Sequence, residues 1–306
     1  MPPTKRRRNP ASSAVTPIRA PATPAKPKKR FNIGTGSVVR GKKVIIYGGS
    51  GMGKSSLAAM APDPIFIPLD DGTADLLDPF TGEAIQQVED CYTFEDTRSA
   101  LHQYDLYDGK KTVVIDTATK LQDLSHDYMF KTIKHEKGHT VNSIEGYGYG
   151  KGYSHLYDTM KLILQDADEL VRRGKNVIII CQLSVRSVPN AEGEDYLCNT
   201  VRLYPGSKNL PPVSDLYIEW ADHVLFVDHA NKVVSNKKVT GDATRAVFTA
   251  DELHFKAKSR VLPGGRHIPP VVTFDAVDDD SIWVYMFPEE GEDDAKSQPP
   301  MPDDPA

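Results

Sequence analysis

Cysteine is scarce in this sequence, which has only Cys91, Cys181 and Cys198 among its 306 residues. Because these cysteines are odd in number and widely spaced, they argue against a disulfide framework and against a C-x-x-C metal site. No stretch approaches the roughly 18 consecutive apolar residues that a membrane-spanning helix needs, and the N-terminal residues have no apolar secretory segment. We therefore expect a protein of the reducing cytoplasm with no membrane partner.

Each end of the chain has few large apolar side chains and few or no charges of one sign. Residues 1–30 hold nine lysines and arginines and no acid, whereas residues 289–306 hold seven acids and one lysine. Both ends are also rich in proline, so neither can bury enough apolar surface to fold. We expect a basic disordered tail over residues 1–33, a folded core over 34–288 and an acidic disordered tail over 289–306. The basic tail has two alternative roles, which are nonspecific contact with nucleic acid and solubility or targeting.

A phosphate-binding motif is present near the start of the core. The stretch YGGSGMGKSS, residues 47–56, follows the apolar run KKVIIY and contains the pattern G-x-x-x-x-G-K-[ST]. A buried strand followed by this pattern predicts a loop whose backbone N–H groups surround phosphate. We expect Lys54 to contact the β- and γ-phosphates of a nucleotide and Ser55 to bind Mg²⁺. The residues expected to bind the nucleotide are Gly48, Gly49, Ser50, Gly51, Met52, Gly53, Lys54, Ser55 and Ser56.

Buried strands and amphipathic helices alternate after this loop. DPIFIPLDDG and KKTVVIDTATKL contain apolar runs that end in acids, NVIIICQL ends in polar residues, and SHLYDTMKLILQDADELVRRG has the apolar stripe of a helix. This alternation predicts an α/β fold with a mostly parallel central sheet flanked by helices. The short segments ADHVLFVD, KVVSNKK, RAVFTAD and SIWVYMF predict antiparallel strands on the C-terminal side. Asp116 ends one parallel strand at the edge where ligands bind, so we expect it to be a second Mg²⁺ ligand.

The motifs of two other classes of phosphate-loop protein are missing. Asp116 is followed by TAT rather than by the D-x-x-G pattern of GTPases, and neither NKVV nor NKKV has the acid of a guanine-binding N-K-x-D motif. An LSGGQ-like signature is missing as well. These absences argue against guanine specificity and against an ABC transporter subunit.

The ordered set YGGSGMGKSS, FIPLDDG, TVVIDTATKL, GYGKGYSHLYDTM, VIIICQ, EWADHVLFVD and FKAKSRVLP resembles the RecA-core P-loop ATPases. It is most similar to the phage-type branch associated with single-strand annealing and recombination, and the resemblance covers residues 34–288. It implies a RecA-like core that hydrolyses ATP with Mg²⁺ in the host bacterial cytoplasm. It also implies a homo-oligomer, as a ring or filament, with single-stranded DNA and a single-strand-binding protein as partners.

The resemblance also implies roles for residues outside the phosphate loop. The acid that activates the attacking water falls on Asp70, with Asp71 as the near alternative. Aspartate stands here in place of the family's usual glutamate, and because it is one methylene shorter, slow hydrolysis or a shifted backbone is expected. Gln182 is similar to the residue that senses the γ-phosphate. Lys256 and Lys258 resemble a lysine pair that reaches across a subunit interface toward the neighbour's phosphates.

Two loops are candidates for contact with DNA. In GYGYGKGY, residues 146–153, Tyr147 and Tyr149 could stack on bases beside Lys151, or the segment could be only a flexible connection. The second loop follows Gln182, where the resembled family places a DNA-binding loop. It offers three basic side chains, but its nearby acids bring its net charge close to zero. These three are Arg186, Arg202 and Lys208.

Two alternatives concern a zinc site and the choice of partner. HEKGH, residues 135–139, matches the H-E-x-x-H pattern of zinc proteases, but Gly138 weakens the helix that this pattern requires. We therefore do not expect zinc. The other alternative is a nucleotide-switched adaptor or loader that engages a protein partner rather than DNA.

Overall fold

The structure is a computed structural model that describes residues 40–190, 193–207, 209–230, 232–235, 238–241, 244–274, 276 and 278–287. Both expected tails, residues 1–33 and 289–306, lie outside the described residues, as do Lys208 and the side chain of Asp71. The predictions made for them stay predictions.

Strands and helices alternate through the first half of the chain. The strands are β1 (Lys43–Gly48), β2 (Pro64–Pro68), β3 (Thr112–Asp116), β4 (Asn176–Val188), β5 (Tyr196–Val201), β6 (His223–His229), β7 (Lys232–Ser235), β8 (Lys238–Gly241), β9 (Arg245–Phe248), β10 (Lys258–Ser259) and β11 (Val271–Phe274). The helices are α1 (Lys54–Ala59), α2 (Phe94–His102), α3 (Ala118–Thr132), α4 (Lys151–Arg172), α5 (Val213–Trp220) and α6 (Ser281–Met286).

The main sheet has the strand order β11-β9-β6-β1-β4-β3-β2. Strands β2, β3, β4, β1 and β6 form consecutive parallel pairs, whereas β9 and β10 pair with β6, and β11 with β9, in antiparallel register. The prediction of an α/β core with a mostly parallel sheet and antiparallel strands on its C-terminal side is therefore confirmed. Because the parallel strands run in one direction, their carboxyl ends meet at one edge, where ligands of such sheets bind.

Both faces of the sheet are covered, which explains the continuous apolar runs of its strands. On β1, Ile45 and Tyr47 pack with helices α2 to α5, whereas Val44 and Ile46 pack with α1 and α6. The apolar stripe predicted for α4 is buried as expected, and the chain leaves this helix through Gly174 at φ 83°. The strand that precedes the phosphate loop is therefore buried between two layers of helices.

One expectation about the C-terminal strands was wrong. The segment SIWVYMF forms the helix α6, which buries Ile282, Trp283 and Met286, and the Trp283 Nε1 group donates a hydrogen bond to the Leu57 carbonyl at 2.7 Å. A run this short has too few residues to separate a helical from a strand period, so packing on α1 decides. ADHVLFVD forms β6, which is parallel to β1 and antiparallel to β9 and β10, so the antiparallel region begins at this strand as expected. Within the described residues, no helix has the length and apolarity needed to cross a lipid bilayer.

Candidate nucleotide-binding site

The phosphate loop joins β1 to α1 and depends on glycine at both ends. A Cβ atom added to Gly48 would lie 2.3 Å from the carbonyl oxygen of Val227 in β6, so the close approach of two strands requires glycine there. Gly53 precedes α1 at φ 88°, in the left-handed region that favours glycine. Packing and backbone conformation thus explain why these two positions of the motif are glycine.

Lys54 is the first residue of α1 and folds back over the loop. Its Nζ atom donates a hydrogen bond to the Gly49 carbonyl at 2.8 Å. Burial lowers the pKa of Lys54, and the charge of Asp116 acts in the opposite direction. The ammonium group therefore lies among the backbone groups of the loop, where the motif requires a phosphate-binding cation.

Ser55 and Asp116 are brought together by the parallel sheet. The Ser55 Oγ atom donates a hydrogen bond of 2.6 Å to Oδ2 of Asp116, whose residue is only 3% exposed at the end of β3. Burial raises the pKa of Asp116 to about 6, the charge of Asp70 adds to this rise, and Ser55 and Lys54 oppose it. A hydroxyl and a carboxylate side by side are the oxygen donors that Mg²⁺ prefers. The residues present therefore fit the ion expected from the sequence.

Asp70 follows β2 at the same edge of the sheet. Its Oδ1 atom accepts a hydrogen bond of 3.0 Å from the backbone N–H of Gly72. Its negative charge helps to raise the pKa of the Asp116 carboxyl, so the two acids lie near the same site. Whether Asp70 or Asp71 activates water stays a prediction.

Gln182 lies on β4 beside the loop, in register with Gly48. Its Oε1 atom accepts a hydrogen bond of 2.8 Å from Arg202 Nη1, and its backbone N–H donates to Thr119 Oγ1 at 3.1 Å. The Thr119 hydroxyl donates in turn to the Arg202 carbonyl at 3.1 Å. This closed network links the side chain beside the loop to an arginine, a contact that the sequence does not predict.

The second expected DNA loop is largely a hairpin. Strand β4 continues to Val188 and pairs with β5 in antiparallel register, which corrects the expectation of a loop directly after Gln182. Backbone hydrogen bonds between the two strands satisfy groups that a loop would leave to solvent. Arg186 lies on this hairpin and forms a salt bridge of 3.3 Å with Asp215.

The tyrosines of GYGYGKGY have different environments. Tyr147 is only 3% exposed, and its hydroxyl donates to the carbonyls of Met129 and Ile133 at 3.0 Å, so stacking on a base is wrong for this residue. Tyr149 is fully exposed, and Lys151 forms a salt bridge with Glu136. Of these three residues, Tyr149 and Lys151 are the ones for which contact with DNA stays a prediction.

The two lysines expected to face a neighbouring subunit do not share one face of a strand. Strand β10 contains only Lys258 and Ser259, and Lys256 precedes it in irregular backbone. Lys256 forms a salt bridge of 3.2 Å with Asp251, and Lys258 Nζ donates to the Ile218 carbonyl at 2.7 Å. Within this chain, Lys256 is therefore bound to an acid of its own loop and Lys258 to α5, and a contact of either lysine with a neighbouring subunit stays a prediction.

The segment HEKGH forms a turn rather than a helix. The His135 backbone N–H donates to the His139 carbonyl at 3.0 Å, and the two rings stack with their centroids 4.4 Å apart. In the part of the chain that the structure describes, no group of three or more His, Cys, Asp or Glu residues could hold a metal ion. The geometry of a zinc protease is therefore contradicted.

Arg245, which was not among the residues predicted from the sequence, also contacts the phosphate loop. Arg245 is the first residue of β9, and its Nη1 atom donates to the Met52 carbonyl at 3.4 Å. The two residues are 193 positions apart, so no local pattern connects them.

Comparison with known proteins identifies a family. The family model described as an AAA domain matches residues 40–261. Flagellar accessory protein FlaH from Methanocaldococcus jannaschii is 13% identical with a TM-score of 0.37, and the match covers 78% of this chain and 87% of that chain. A KaiC-like protein from Pyrococcus horikoshii OT3 is also 13% identical with a TM-score of 0.37, covering 77% and 90% of the two chains. At such low similarity, neither structure bears on the activity of this chain. No curated protein matches it.

Proposed function

The chain belongs to the AAA domain family, and on this premise we propose that it binds and hydrolyses ATP with Mg²⁺ and acts on single-stranded DNA. The observation that carries the nucleotide part is the contact of Ser55 with Asp116 at 2.6 Å beside Lys54. A glycine-rich turn without a nucleotide-binding role would not be expected to place a buried acid of another strand against this serine.

Different residues of the chain have different roles in the proposed phosphoryl transfer. The backbone N–H groups of residues 48–55 and the Lys54 ammonium bind and orient the phosphates. Ser55 and Asp116 would hold Mg²⁺, which supplies positive charge against the β- and γ-phosphates when bound. Asp70, with Asp71 as the near alternative, would orient the attacking water and accept its proton on a carboxylate oxygen. Hydrolysis is expected to be slow because the aspartate side chain is short.

Two features support single-stranded DNA as the target. The contact of Gln182 with Arg202 joins the expected γ-phosphate sensor to the hairpin of β4 and β5, so a change at the phosphate can move a basic side chain. Tyr149 offers a fully exposed ring between two glycines. Assembly into a ring or filament, contact with a single-strand-binding protein and a cytoplasmic location belong to the same proposal and follow from the resemblance.

The nucleotide part is tested by Lys54→Ala, with Lys161→Ala as the control because Lys161 is an exposed lysine on α4. Lys54→Ala should abolish hydrolysis and greatly weaken ATP binding, because the loop loses its phosphate-facing cation. The control should behave as the wild type does. Normal ATP turnover by Lys54→Ala would contradict the assignment of this loop as the nucleotide-binding site.

The DNA part is tested by measuring ATP hydrolysis with and without single-stranded DNA. Stimulation supports action on DNA. Indifference to DNA, in a protein that hydrolyses ATP, would instead support the nucleotide-switched adaptor or loader that engages a protein partner.

A further inference from the structure

Arg245 occupies an unusual position for an arginine of the sheet. It begins β9 opposite His229 of β6, so its side chain starts at the edge of the sheet where the phosphate loop lies. A Cβ atom added to Gly53 would lie 2.5 Å from the Arg245 Nη1 atom, which shows that the guanidinium is packed directly against the loop. The contact is therefore with the loop itself, beside Gly53.

The charge of Arg245 is not neutralised by any acid that the structure describes. No described carboxylate lies within 4.0 Å of its guanidinium, and its polar contact is the long hydrogen bond of 3.4 Å to a neutral carbonyl. The Phe274 ring centroid lies 5.9 Å from its Cζ atom and limits where the side chain can turn. A guanidinium has five N–H donors, and one contact with Met52 leaves most of them for a ligand.

The lysines expected to supply a second cation from a neighbouring subunit are engaged elsewhere in this chain. Lys256 is paired with Asp251, and Lys258 is bound to the end of α5. Phosphoryl transfer benefits from positive charge beyond that of the loop lysine, because charge on the phosphoryl oxygens must be stabilised. Within the described residues, Arg245 is the arginine that already touches the loop.

We propose that Arg245 binds the polyphosphate of the nucleotide from within the same chain, with one N–H holding the Met52 carbonyl and the others reaching an anionic oxygen. The inference rests on the proposed nucleotide binding and adds a second cation to it. An arginine suits this task because its planar fork can serve a carbonyl and a phosphate oxygen together.

The test compares Arg245→Ala, Arg245→Gln and Arg245→Lys with the wild type in equilibrium binding of a fluorescent ATP analogue over a salt series. Arg172→Ala serves as the control because that arginine forms an exposed pair with Glu169 on α4. We expect Arg245→Ala and Arg245→Gln to weaken binding by about tenfold, the size of one lost charge-assisted contact. Both should also show a weaker dependence on salt, and Arg245→Lys should recover part of the affinity.

A competition experiment separates the phosphates from the rest of the nucleotide. Tripolyphosphate, which has no base or ribose, should displace the analogue less effectively from Arg245→Ala than from the wild type. Equal competition would overturn the assignment to phosphate. Arg245→Gln keeps a donor for Met52, so it carries the test if Arg245→Ala does not fold.

Mixing tests whether Arg245 acts in its own chain. A mixture of Arg245→Ala and Lys54→Ala should bind the analogue no better than the sum of the two variants measured separately, because each site then lacks one of its own two cations. Recovery on mixing would overturn the inference, as would wild-type binding by Arg245→Ala or Arg245→Gln. If the wild type bound no nucleotide, the proposed function itself would be refuted. If Lys54→Ala lost affinity for the analogue and Arg245→Ala did not, only the inference about Arg245 would be refuted.

Discussion

Replacing Gly48 by alanine should destabilise the protein through the sheet rather than through the nucleotide. Gly48 ends β1 between Gln182 of β4 and Val227 of β6, and the added Cβ would meet the Val227 carbonyl oxygen at 2.3 Å. Ordinary contacts of a Cβ atom begin near 3.4 Å, so one backbone must retreat by about 1 Å. That movement separates two central strands that are buried on both faces.

The size of the effect follows from the rigidity of this region. Val227 is fully buried, and β1 is paired on both sides, so the clash cannot be relieved by a side-chain rotation. Overpacking of this kind costs about 2–3 kcal/mol of unfolding free energy. Gly49→Ala is the matched control, because its nearest neighbour would be Met52 Cγ at 3.5 Å, an ordinary contact. The control should change stability by no more than about 0.5 kcal/mol.

Urea denaturation without nucleotide gives the free energy of unfolding of both variants and of the wild type. Because no ligand is present, an effect on nucleotide binding does not contribute to the difference. A lower midpoint at an unchanged slope for Gly48→Ala would show a loss of stability in the folded sheet. Equal midpoints for Gly48→Ala and Gly49→Ala would refute the reasoning, since the close approach of β1 and β6 would then have no energetic consequence.

Two further predictions concern groups of the core. Burial lowers the pKa of His223 to about 4, so the folded protein resists a proton that the unfolded chain accepts below about 6.5. The contribution of His223 to stability is therefore constant above pH 6.5 and falls by up to about 3 kcal/mol as the pH drops toward 4; His223→Gln should remove this part of the pH dependence in urea titrations at several pH values, and parallel curves for the variant and the wild type would contradict it. Arg98 holds both oxygens of the Asp166 carboxylate, whose side chain is only 7% exposed, so Arg98→Met should cost about 2 kcal/mol in the same assay. Arg172→Met breaks an exposed pair and should cost less than about 0.5 kcal/mol; equal losses in the two variants would refute the difference in burial.

Local patterns predicted those parts of the fold whose information is contiguous in the chain. The helix α2 (Phe94–His102) is capped by Thr93, and its capping box requires only residues three positions apart, Thr93 and Asp96. The stripe of α4 was readable for the same reason. SIWVYMF was misassigned because six or seven residues carry no distinct period, and its helix is stabilised by Trp283 against α1.

In the candidate site as well, contiguous motifs were predictable from the sequence, whereas the environments of individual side chains were not. A tyrosine between glycines gives no sign of whether its ring is buried, so Tyr147 and Tyr149 looked equivalent until the fold placed one of them against Met129 and Ile133. A K-x-K spacing predicts a shared face only in a strand. The strand begins at Lys258, and Lys256 therefore follows no such rule.

The sequence by itself determined that a phosphate loop follows a buried strand and that an acid ends a neighbouring strand, because both features are short and contiguous. Only the tertiary structure decided that Ser55 meets Asp116, that Gln182 meets Arg202 and that Arg245 touches Met52. The physical reason is that these pairs join different elements of the sheet, and their sequence separation is set by the lengths of the connections rather than by any helical or strand period. Strand order and register, which arise from packing of the whole core, bring such residues to one edge.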